Sequence, residues 1–132
     1  MNKTKRASIV VLMLLLMVSL AGCEKKAIEI DRTDKVVLNY SYKNVVFDEE
    51  LPQSEAEKMI EIINGKSIRS DNPSCGFSEE ISITIGDYIF CVAQDGDGFL
   101  KVEDGKYIIL DDEERAVLDE LFSKYGGTFP CV

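Results

Sequence analysis

The chain has no histidine and no tryptophan, only three prolines among 132 residues, and four cysteines that form no C-x-x-C pair. Each absence excludes a class of chemistry. Without histidine there is no ordinary general base near neutral pH and no imidazole ligand for a transition metal, so histidine-dependent triads and histidine-based zinc sites are ruled out. No glycine-rich phosphate loop, serine elbow or Ser-x-x-Lys motif occurs, which removes the recognisable nucleotide and acyl-enzyme signatures. The longest apolar run, Ile9 to Val18, is ten residues, well short of the roughly 20 that cross a bilayer as a helix. Basic residues are also scarce: 15 Lys and Arg stand against 24 Asp and Glu, a formal charge of −9. Nucleic-acid binding, which needs a basic footprint, is disfavoured.

What is present is concentrated first at the N-terminus. Lys3, Lys5 and Arg6 precede the apolar run, and Leu20-Ala21-Gly22-Cys23 follows it. A basic start, a short apolar core and small residues before a cleavage point are the three parts of a secretory signal. Residues 1 to 23 resemble the leader of bacterial prolipoproteins, with Leu20, Ala21 and Gly22 as the lipobox before Cys23. The resemblance implies that the Cys23 sulfur receives a diacylglyceryl group through a thioether and that cleavage falls between Gly22 and Cys23. It implies an extracytoplasmic protein held on the bacterial membrane by its N-terminal lipid. Two acyl chains, at about 0.8 kcal/mol per buried methylene, are enough for stable attachment. The ending Tyr125-Gly126-Gly127-Thr128-Phe129-Pro130-Cys131 and the segment Cys75-Gly76-Phe77 are similar to small uncharacterised lipoproteins of Gram-positive bacteria, a resemblance that implies no particular activity.

The expected organisation is therefore a leader over 1–22, a lipidated cysteine and polar tether over 23–35, and one globular domain over 36–132. Loss of the leader removes three of the 15 basic residues and none of the acids, leaving a formal charge of −12. Such acidity favours solubility and self-repulsion. In the tether only Ile28 and Ile30 are large and apolar, and Lys25 and Lys26 would lie beside the lipid head groups.

Within the domain, Val36, Leu38, Tyr40 and Tyr42 alternate and are followed by Val45 and Val46, the pattern of a strand or a bent pair of strands. The period then changes. Ser54-Glu55-Ala56-Glu57 has the form of a capping box, Ala56, Met59, Ile60 and Ile63 recur at helical spacing, and Asn64-Gly65 supplies a left-handed stop. Residues 66 to 80 read as irregular. Ile81, Ile83 and Ile85 alternate with Ser82 and Thr84, Gly86-Asp87 is a hairpin turn, and Tyr88 to Ala93 returns. Phe99 to Val102 and Lys106 to Leu110 form a second pair around Asp104-Gly105. Asp111-x-x-Glu114 opens a second helix with Val117, Leu118, Leu121, Phe122 and Tyr125 inward, ended by Gly126-Gly127. The order strand, helix, four-strand meander, helix predicts an α+β fold: an antiparallel sheet with helices packed on one face.

Three patterns invite chemistry and have plainer readings. Asp95-Gly96-Asp97-Gly98 alternates carboxylates as a calcium loop does, but Ala93 stands where the first ligand belongs and Asp104 where a bidentate Glu is usual, so a hairpin connection is the better reading. Asp111-Asp112-Glu113-Glu114 is an acidic run in the first turn of a helix, where carboxylates are favoured by the exposed amides. Cys75, Cys91 and Cys131 remain after lipidation; a three-cysteine zinc site would need a carboxylate as fourth ligand, and outside the cytoplasm a disulfide is the more natural fate. A loop and a terminus adjust to disulfide geometry more easily than a strand interior. That favours Cys75 with Cys131 and leaves Cys91, in Phe90-Cys91-Val92, a buried free thiol, with Cys75 to Cys91 as the competing pairing. No metal and no cofactor is expected. The predicted role is a lipid-anchored binding or interaction protein, not an enzyme, whose partner is an envelope protein or small ligand. Its rivals are an inhibitor or immunity-type protein of the envelope and a hydrolase using carboxylates alone.

Overall fold

The structure, a computed structural model, describes residues 26–70, 73, 76–94 and 97–129. It is an α+β fold with one six-stranded antiparallel sheet and two helices. The elements are β1 (Val36–Tyr42), β2 (Val45–Glu50), α1 (Gln53–Ile63), β3 (Phe77–Ile85), β4 (Tyr88–Ala93), β5 (Phe99–Glu103), β6 (Lys106–Ile109) and α2 (Asp112–Lys124). The strands lie in the order β2-β1-β3-β4-β5-β6.

The first strand of the predicted order is in fact a hairpin. β1 and β2 pair from Tyr42↔Val45 to Val37↔Glu50 across a two-residue turn in which Lys43 takes φ 54°. A lysine in the left-handed region is uncommon, so the turn carried no glycine to announce it. The meander follows as expected, with Gly86 at φ 55° and Gly105 at φ 76° in its two tight turns. At Gly98, φ is 76° and a side chain would meet the Leu110 carbonyl oxygen at 2.5 Å. Glycine is required there because β5 and the end of β6 approach so closely: Leu110 N donates to Gly98 O at 2.8 Å.

Alternate residues of the strands form the core. Val36, Leu38 and Tyr40 of β1, Ile81, Ile83 and Ile85 of β3, Phe90 and Val92 of β4, Leu100 of β5 and Ile108 of β6 are buried in one cluster with Ala56, Met59, Ile60 and Ile63 of α1 and Leu118, Leu121 and Phe122 of α2. The apolar stripe of α1 is thus the one its helical spacing predicted. Its start is not. The Ser54 capping box does not form; Pro52 is the N-cap and its carbonyl accepts from Glu55 N and Ala56 N at 3.0 and 2.9 Å. Leu51 is buried and its N–H is held by Val36 O at 2.9 Å, so the chain is turned into the helix immediately after β2 and Ser54 falls inside the first turn. In α2 the predicted box is present: Asp111 accepts from Glu114 N at 2.8 Å and Glu114 accepts from Asp111 N at 3.0 Å.

The segment expected to be a polar tether is largely part of the folded body. Ile28 is fully buried and Ile30 is 8% exposed. Ile68 N donates to Lys26 O, Ile28 N to Lys66 O and Gly65 N to Ile28 O, at 2.8 to 2.9 Å. The Asn64 side chain accepts from Ile30 N at 3.1 Å. Burial of two isoleucines, at about 1.5–3 kcal/mol each, together with these four hydrogen bonds, works against the entropy lost in ordering the segment.

Ion pairs join the helices at both ends. Lys66, just after α1, meets Glu114 in the first turn of α2 at 2.5 Å. Glu55 in the first turn of α1 meets Lys124 at the end of α2, and Tyr125 Oη donates to Glu55 at 3.1 Å. The helices therefore run antiparallel. Lys124 holds the Glu55 carboxyl below the usual range, and Glu55 raises Lys124 in turn. Burial, then Glu55, raises Tyr125. A lowered carboxyl contributes stability above its ordinary pKa that is lost as pH falls through the lowered value; a raised ammonium contributes below its ordinary pKa and loses this as pH rises through the raised value. Urea unfolding of the protein and of Glu55→Gln is therefore expected to differ on the neutral plateau and to converge at both acid and alkaline extremes. A difference independent of pH would contradict the clasp.

Candidate interaction surface

The register places Asn39, Ser82, Thr84, Cys91, Lys101 and Tyr107 on the side of the sheet opposite the core residues. Here Asn39 Nδ2 donates to Thr84 Oγ1 at 2.7 Å and to Ser82 Oγ at 3.3 Å. This cross-strand network rigidifies β1 against β3. Ser82 and Cys91 are buried beneath larger neighbours. All of these outward residues except Tyr107 line an open depression of about 520 Å³, together with Glu79, Glu103 and Asp104. Ile89, half exposed at 52%, stands on the same side. Further along, the Tyr107 ring lies 5.3 Å from Phe77 and 6.4 Å from Phe99. The result is a broad, shallow surface of hydroxyls, amide and half-buried rings.

Cys91 is a buried free thiol in β4. Burial pushes its pKa up, against a smaller opposing pull from Lys101. A thiol held protonated is a poor nucleophile. Cys23 with Leu20, Ala21 and Gly22, and both Cys75 and Cys131, lie outside the described residues.

The carboxylates of the acidic motifs are dispersed. Asp111 and Glu114 are engaged by the helix cap. Asp95 lies outside the described residues, and Asp104 sits in the β5–β6 turn facing Lys101 at 3.6 Å. Among the described residues no group of three or more His, Cys, Asp or Glu could hold a metal ion. Asp31, Glu55 and Glu103 all depart downward from the ordinary carboxyl pKa, through hydrogen bonds from Thr33, Lys124 and Lys106 respectively. A general acid needs the opposite shift.

One buried charge was not foreseen. Arg115 of α2 is only 5% exposed. Its guanidinium lies 4.6 Å from the centre of the Phe129 ring, Nε donates to Asp119 at 2.9 Å and Nη2 reaches Ala93 O at 3.4 Å. An arginine at a helix position next to Glu114 reads as solvent-facing in a linear pattern; here it is covered by the Phe129 ring and lies against the end of β4 at Ala93.

That return is pinned by Tyr40. Its hydroxyl donates to Thr128 O at 2.5 Å and accepts from Thr128 N at 2.8 Å. Gly127 fits beneath because a side chain there would meet the Tyr40 ring and the Phe122 carbonyl at 3.1 Å.

The two edges of the sheet differ. β6 is covered by the Arg69 backbone, which exchanges hydrogen bonds of 2.7 and 2.8 Å with Tyr107. β2 pairs only with β1 among the described residues, and it displays Val45 at 40% and Val46 at 72% exposure. No helix among the described residues is long and apolar enough to cross a membrane. No protein-family model, no curated protein and no solved structure matches the chain.

Proposed function

We propose that the protein is a lipid-anchored extracytoplasmic binding protein, held on the bacterial membrane by diacylglyceryl-Cys23, with both helices packed on one face of the sheet and the other face turned to a partner. The observation that carries the binding role is the outward sheet surface: rigid through the Asn39, Ser82 and Thr84 contacts, apolar at Ile89 and ringed by Phe77, Phe99 and Tyr107. Aromatic rings in tilted and edge-to-face contact on a broad surface suit contact with a protein better than turnover of a small substrate.

The docked N-terminal segment supports a close approach to the membrane. The folded body begins by Lys26, and three residues reach at most about 10 Å, so a lipid on Cys23 would hold the domain against the head groups and not on a long leash. Such tethering raises the effective concentration of the domain for a membrane neighbour. The partner is an envelope protein or a small ligand. An inhibitor or immunity role is a special case of the same binding. A hydrolase using carboxylates alone finds less support, because Asp31, Glu55 and Glu103, the carboxyls shifted among the described residues, are all lowered.

Photocrosslinking in intact cells checks this. A crosslinker at Ile89 in the anchored protein is expected to capture an envelope protein or ligand, and a form in which residues 1 to 23 are replaced by a secretory leader without a lipobox to capture much less of it. The purified protein is expected to turn over no ester, peptide, glycan or phosphate substrate. Hydrolysis abolished by changing a single Asp or Glu would replace the binding role with the carboxylate enzyme.

A further inference from the structure

The free edge at β2 has the chemistry to select what pairs with it. Leu51 N donates to Val36 O, and the pairs Leu38↔Glu49, Tyr40↔Phe47 and Tyr42↔Val45 keep the same parity. In an antiparallel ladder the alternate residues turn their N–H and C=O groups the other way. Val46, Asp48 and Glu50 therefore direct theirs away from β1, and no described backbone meets them. All three are exposed, and their side chains share one face of the strand.

We propose that the outer edge of β2 accepts an extended strand of a partner protein that carries lysine or arginine opposite Asp48 and Glu50 and an apolar residue opposite Val46. Main-chain bonds would supply the attachment and the alternate side chains the selection. Charge decides between occupants. Self-pairing that uses all three residues sets Asp48 against Asp48 and Glu50 against Val46, and like charges directly opposite are destabilising. Two copies of the mature chain, with a formal charge of −12 each, also repel at longer range. A basic strand reverses both terms.

Position favours the same edge. Lys26 O accepts from Ile68, Ser67 bridges Ala27, and Arg69 pairs with β6, so the N-terminal end of the body lies on the β6 side. Strand spacings of about 4.8 Å put β2 roughly 24 Å across the sheet from there. The open edge would face away from the lipid. This partner class rests on the binding role proposed above; the geometry of the edge does not.

The test is amide hydrogen exchange by NMR on the lipidated protein in detergent, with the capped peptide Thr-Lys-Thr-Lys-Thr-Val-Thr as probe. Run antiparallel, it sets its lysines against Glu50 and Asp48 and its valine against Val46. At ten times the Kd, exchange at Val46, Asp48 and Glu50 is expected to slow about tenfold. The same peptide with glutamate for lysine is expected to do nothing. Asp48→Pro should abolish the protection while leaving the β1–β2 ladder whole, since the lost N–H points outward. Should that variant not fold, the pair Asp48→Lys and Glu50→Lys should transfer the preference to the glutamate peptide. Equal protection by both peptides, protection elsewhere only, or protection that grows with protein concentration alone would overturn the proposal. So would no protection at all, which would mean that the acids serve only to keep the edge unpaired. Each of these outcomes in protein that was purified from the membrane fraction with its lipid refutes the edge and leaves the anchor standing; protein that fractionates without lipid refutes the anchor alone.

Discussion

Replacing Phe122 with alanine is expected to remove about 3–5 kcal/mol of stability, much of the 5–15 kcal/mol available to a domain of this size. Phe122 is fully buried, and its ring lies 6.1 Å from Tyr40, 6.5 Å from Phe47 and 5.3 Å from Phe129. It is the point where α2, the β1–β2 hairpin and the C-terminal return meet. Its carbonyl also accepts from Gly127 N at 2.8 Å, so the backbone beneath cannot settle into the cavity without giving up the pinned C-terminal return. Urea midpoints check the figure. Phe122→Leu, which keeps most of the volume, should cost clearly less; equal losses in both variants, or a loss under about 1 kcal/mol in the alanine form, would show that the ring cluster does not hold these elements together.

Cys23→Ser is expected to abolish stable membrane attachment through lipid and to leave the leader on the chain. Serine has no sulfur for the thioether, and a single short apolar run does not replace two acyl chains. Fractionation and immunoblotting should show a larger, unprocessed species with no lipid label. The folded body should be unaffected, because among the described residues its core starts at Ile28. A processed, lipid-labelled Cys23→Ser protein would require another acceptor.

Where the chain's periodicity was strong, the structure follows it. The 3.6-residue stripe from Ala56 to Ile63 and the alternation of Ile81, Ile83 and Ile85 became core because both patterns are local and their turns carry glycine. The departures have tertiary causes. Ile28 and Ile30 alternate as a buried strand would, yet they stand among charged residues, and only the open side of residues 64–68 gives them a place to dock. The Lys43 turn hides a hairpin because lysine seldom takes positive φ. Pro52 capped α1 in place of Ser54 because Leu51 was already fixed to β1.

The candidate surface was less legible than the core. Asn39, Thr84, Cys91 and Lys101 are separated in sequence by up to 62 positions and become neighbours only through strand register. Likewise nothing in Val45-Val46-Phe47-Asp48-Glu49-Glu50 states that it is an edge; that follows from β3 taking the other side of β1.

The most direct measurement is the intact mass of the N-terminal peptide from protein extracted out of the membrane fraction. The account predicts a chain beginning at Cys23, with residues 1 to 22 absent and a diacylglyceryl group on the Cys23 sulfur. An N-terminus at any other residue, or a Cys23 that carries no lipid, would contradict it.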